Sequence, residues 1–73
     1  MKILSYDPLW KTLKTKKMKK QDLQNAAQLS KGTITKMGKD ESVTLDVIVR
    51  ICNALDCDIV DVVEVQELDT SGT

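Results

Sequence analysis

The chain has no histidine, only two cysteines, one proline and three glycines. Each shortage removes a class of function. Without imidazole, Cys52 and Cys57 match none of the usual four-ligand zinc sets, so no metal site is expected. The same absence leaves no serine or cysteine beside a base that would activate it, and no glycine-rich phosphate loop is present. Asp58 and Asp61 then read as helix caps and solvated charges, and the chain is expected to be neither an enzyme nor a cofactor carrier. No run approaches the ~18 apolar residues of a membrane span. Met1-Lys2-Ile3-Leu4-Ser5-Tyr6 lacks the apolar stretch of a signal peptide, which makes a cytoplasmic location the expectation. Cys52 falls on the apolar stripe of a helix as a small buried hydrophobe and Cys57 in the connection after it. Residues five apart along a helix do not face each other, so no disulfide is expected between them.

Net charge is also lacking, but only in the total. Residues 1–39 carry ten Lys against Asp7 and Asp22, a balance of +8, while 40–73 carry Arg50 against nine acids, a balance of −8. Seven of the ten Lys (Lys11, Lys14, Lys16, Lys17, Lys19, Lys20 and Lys31) lie within 21 residues. Folded onto one face, such a block attracts a polyanion such as nucleic acid; scattered, it is a solvated surface. With 73 residues there is room for one small domain, of marginal burial, that gains from a partner subunit. A homodimer is expected.

What is present is helical spacing. Asp7-Pro8 predicts a helix start with Asp7 as cap, and the first helix runs from about Pro8 to Lys16 or Lys17 with Leu9, Leu13 and Trp10 inward. Met18 and Leu23 are placed to staple a second helix, about Lys20 to Ala27, capped poorly by Lys19. Ser30 caps a third, Lys31 to Met37 or Gly38, with Ile34 and Met37 inward and Lys31, Gly32, Thr35 and Lys36 outward. Gly38 ends it. Thr44 caps a fourth, Leu45 to Leu55, with an apolar stripe of Leu45, Ile48, Val49, Cys52 and Leu55. Asp58 starts a short fifth, Ile59 to about Val62. Ile3–Tyr6 and Val63–Gln66 look extended and pair in a small ribbon that must pack on the helices or continue across a dimer. Residues 1–67 form the single domain, and 68–73 are expected to be disordered.

The second helix, a three-residue turn and the third helix make a helix-turn-helix over residues 20–39, from Lys20-Gln21-Asp22-Leu23 to Met37-Gly38-Lys39. This unit resembles the reading unit of the phage Cro and C1 repressor family, with Leu23, Ala27, Leu29, Ile34 and Met37 at the family's apolar positions. The similarity extends from Leu9 to about Val63. It departs at Gln24, where the family usually has Ala, and at Gln28, where it usually has a Gly that turns the chain through a positive φ. A left-handed Gln28 costs roughly 1 kcal/mol or more. The resemblance implies an all-α, five-helix, lambda-repressor-like DNA-binding domain that acts as a sequence-specific regulator, in the first instance a repressor, on double-stranded DNA. It also implies that Lys31, Gly32 and Lys36 touch base edges and that Lys20 and Thr33 hold phosphate. Lys can donate to guanine, helix N-termini favour anions, and Lys39 beyond the third helix adds a phosphate contact; Gly32 has nothing with which to read a base. The alternative is an antitoxin-like protein-binding module of the same fold, engaged through its acidic half. Gly32, Gln24 and Gln28 favour that alternative; the convergence of lysines opposes it.

Overall fold

In the computed structural model, which describes residues 1–67, strand β1 (Lys2–Ser5) leads into helices α1 (Asp7–Thr15), α2 (Lys20–Ala26), α3 (Lys31–Gly38) and α4 (Leu45–Leu55). A single 3-10 turn (Ile59–Asp61) and strand β2 (Glu64–Glu67) follow. The expected tail 68–73 lies outside the described residues. The architecture is mostly helical with a two-stranded antiparallel sheet, in which Lys2 pairs with Glu67, Ile3 with Gln66, Leu4 with Val65 and Ser5 with Glu64. The ribbon is thus real, one residue displaced from its expected bounds in each strand.

The expected five helices are four. The fifth stops as one 3-10 turn because Ile59, Val60, Val62 and Val63 are β-branched and lose rotamer freedom in a helix. Strand pairing also claims the chain from Glu64. Asp61 accepts a hydrogen bond from the Asp58 amide (3.2 Å), which caps the turn's start. Val62, fully buried, anchors its end.

The core is one cluster drawn from both halves of the chain: Tyr6, Leu9, Leu13, Leu23, Ala27, Leu29 and Met37, then Ile48, Ile51, Leu55 and Val62. On α4 the buried line is Ile48, Ile51 and Leu55, whereas Leu45 and Val49 are 73% and 55% exposed. The apolar arc of this helix is wider than the arc that faces the core, so spacing alone selected the wrong edge of it. Asp7 is not the cap of α1. The helix opens at Asp7 itself, whose amide donates to Ser5 Oγ (3.2 Å). Tyr6, at the cap position, ties α1 to the loop after α3: its amide donates to Asp40 Oδ1 (3.2 Å) and its hydroxyl to the Glu41 carbonyl (2.8 Å). Burial first, and the Asp40 charge in the same direction, push the Tyr6 hydroxyl above its ordinary pKa.

All four helices end alike, and none uses glycine to do it. Lys17, Gln28, Asp40 and Asp56 each take a positive φ of 52–58°. The amide of the following residue then donates to the carbonyl five back: Met18 to Leu13 (2.8 Å), Leu29 to Gln24 (2.9 Å), Glu41 to Lys36 (2.9 Å), Cys57 to Cys52 (3.0 Å). These turns satisfy orphan carbonyls and fold an apolar residue back onto the helix in three of the four cases. Gln28 takes the positive φ of the glycine it replaces, so the departure leaves the turn as regular as the other three. α3 ends at Gly38, within its expected bounds. Burial pushes the Cys57 thiol above its ordinary pKa. Cys52 and Cys57 remain free thiols, half-buried.

Candidate nucleic-acid interface

The helix-turn-helix is held by backbone bonds that the local sequence supplies. Asp22 accepts from the Lys19 amide (2.8 Å), so the weak cap Lys19 is compensated from within the first turn of α2. Ser30 Oγ accepts from the Thr33 amide (3.1 Å) and lies 2.9 Å from the Thr33 hydroxyl, which fixes the start of α3. Ile34 is half-buried and Met37 fully buried, so α3 is seated by these two residues alone and leaves most of its circumference open.

On that open side stand Lys31, Gly32, Thr35, Lys36 and Lys39, all exposed; Thr33 is half-buried. At about 100° per residue Lys31 and Lys36 are separated by about 140° around the axis. They accordingly border different clefts. Lys31 lines one with Lys20, Gln21, Gln24, Ile34 and Thr35, between α2 and α3. Lys36 lines another with Thr33, Ser42, Val43, Thr44 and Val47, between α3 and the start of α4. A built Cβ at Gly32 would meet only Ser30 Oγ, at 3.9 Å, so the helix surface at Gly32 itself is bare backbone with open space above it.

The structure thus gathers Lys20, Lys31, Gly32, Thr33, Lys36 and Lys39 around one helix. It does not gather the whole lysine block. Lys11 and Lys16 line a cleft of α1 with Asp56, Asp61 and Cys57, where carboxylates offset them. The sequence reading assigned no binding role to Gln21, Gln24 and Thr35 in the first cleft or to Ser42 and Thr44 in the second. The i to i+4 spacing of Lys31 and Thr35 was the available signal for one of these; Thr35 Oγ1 donates to the Lys31 carbonyl (3.0 Å). Among the described residues the ion pairs are Met1 amino to Glu67 (2.9 Å) and Arg50 to Asp46 (3.1 Å), and no lysine takes part in either. No group of three or more candidate metal ligands occurs among the described residues, and no described helix is long and apolar enough to cross a membrane.

Comparison with known proteins gives a consistent result. Residues 8–67 match the model of the Cro/C1-type helix-turn-helix DNA-binding domain. The fold is similar to the crystal structure of the transcriptional regulator VanUg, with a TM-score of 0.87, 42% sequence identity, and coverage of 92% of this chain and 89% of that one. No curated protein matches the chain.

Proposed function

The chain belongs to the Cro/C1-type helix-turn-helix family of DNA-binding domains, and from that premise we propose that it is a cytoplasmic, sequence-specific repressor that inserts α3 into the major groove. The single observation that carries this reading is the set of exposed lysines around α3, none of them in an ion pair among the described residues. Lys31 and Lys36 donate to guanine edges from either side of Gly32, whose lack of a side chain lets the backbone approach the base pairs. Lys20, Thr33 and Lys39 hold the phosphates that set the register. With so few base-reading groups, discrimination is modest and the electrostatic share of affinity large. The chain does no chemistry; it acts by occupying its site.

Useful affinity from a unit this small calls for two reading heads about one helical turn of DNA apart, and we assign it as a homodimer. Leu45, Val49, Ile59 and Val60, apolar yet exposed, support an interface in the acidic half. A monomer in sedimentation at micromolar concentration would remove the dimer. Selection of binding sites from random duplex DNA tests the main reading: an enriched sequence bound by the wild type and lost by Lys31→Ala/Lys36→Ala supports it. Unchanged binding by that variant favours the antitoxin-like alternative, a module whose exposed apolar residues dock a protein.

A further inference from the structure

We propose that Trp10 is a positioning residue for DNA binding: its ring holds the Lys20 ammonium in place at the α2–α3 cleft, ready for a backbone phosphate. The inference rests on the DNA-binding reading and extends it to a residue outside the helix-turn-helix.

Trp10 is the chain's one tryptophan, borne by α1 and half-buried against the core. Lys20 Nζ stands 4.7 Å from the centroid of its ring, inside the range in which a cation is drawn to an aromatic face. A Cβ built on Gly38 would lie 3.8 Å from the same nitrogen. One ammonium, carried by the first residue of α2, is therefore within reach of α1 and of the last turn of α3, so three helices converge on it. Lys20 also lines the cleft with Lys31.

The choice of an aromatic partner matters. A carboxylate would order the lysine but cancel its charge, whereas a neutral ring orders it and leaves the full positive charge for a phosphate. Restricting the four-carbon stem beforehand lowers the rotamer entropy that binding must otherwise remove.

The test is a double-mutant cycle on the full chain, Trp10→Leu and Lys20→Gln, read as affinity for a duplex obtained by selection, with thermal unfolding followed separately. Trp10→Leu is expected to weaken binding about two- to fivefold in the wild-type background and not at all in the Lys20→Gln background. Trp10→Phe, which keeps a ring, is expected to retain most of the affinity, and Trp10→Met, which keeps the apolar volume without the ring, carries the cycle if the leucine variant does not fold. Lys20→Gln lowers the log-log salt slope by about one. An equal loss from Trp10→Leu in both backgrounds, or no loss in the wild type, overturns the role of Trp10 and leaves the DNA reading standing. A wild type that binds no duplex overturns both.

Discussion

The two halves of the chain carry opposite charge and use it differently. In the acidic half several carboxylates are committed inside the fold: Asp40 to the Tyr6 amide, Asp61 to the Asp58 amide, Asp46 to Arg50, Glu67 to the N-terminus. In the basic half no lysine is paired with a carboxylate among the described residues. Charge is sorted along the chain but apolar residues are not, since both halves supply one core. The lesson is a division of labour within a single cooperative unit: acids help set backbone geometry while lysines around α3 stand available to a partner.

Substitutions in each half press on that comparison. Ile51→Ala, in the acidic half, should destabilise the chain by about 2–5 kcal/mol because it empties a fully buried site that both halves share. A small effect in thermal unfolding would mean that the halves do not share a core. Lys31→Ala/Lys36→Ala should reduce DNA affinity on the order of a hundredfold with little change in unfolding temperature, whereas Asp56→Asn in the acidic half should leave affinity within about threefold; similar losses from both would erase the functional contrast.

Tyr6→Phe should cost about 1 kcal/mol at neutral pH through the lost bond to Glu41. Its raised pKa fixes the sign: the stability that the neutral hydroxyl contributes is complete below the unfolded value near 10 and is lost as pH rises through the higher folded value. The gap between wild type and Tyr6→Phe in denaturant titrations should therefore shrink above about pH 10, and a gap that widens there would contradict the burial of this group. Last, Gln28→Gly should stabilise by about 1 kcal/mol by relieving a left-handed backbone, and Gly38→Ala by a similar amount, since that glycine is helical and a Cβ there meets ordinary contact only. If both substitutions destabilise in a thermal melt, the assignment of strain to the turn and not to the helix is wrong.

Much of the fold was legible because capping chemistry is local. Ser30 and Thr44 cap α3 and α4 where expected, and α4 runs from Leu45 to Leu55 as its spacing predicts. The start of α2 at Lys20 was likewise readable. What escaped depends on neighbours distant in sequence. Whether Ile51 or Val49 faces inward is decided by where α4 lands on α2, which its own periodicity does not encode. The left-handed Lys17, Asp40 and Asp56 are hidden because glycine, the usual marker, is absent. The division of the lysine block between α3 and the acid-lined cleft of α1 follows from tertiary packing, as does the meeting of Lys20 with Trp10.

Salt dependence of binding to a selected duplex tests the central claim most directly. With Lys20 and Lys39 of each subunit on phosphates, log affinity should fall linearly with log salt at a slope of about −0.9 per contact, and removing Lys20 or Lys39 should each lower that slope by about one. Affinity that is indifferent to salt, or a slope unmoved by these substitutions, would contradict the assignment of the α3 lysines as the DNA-binding surface.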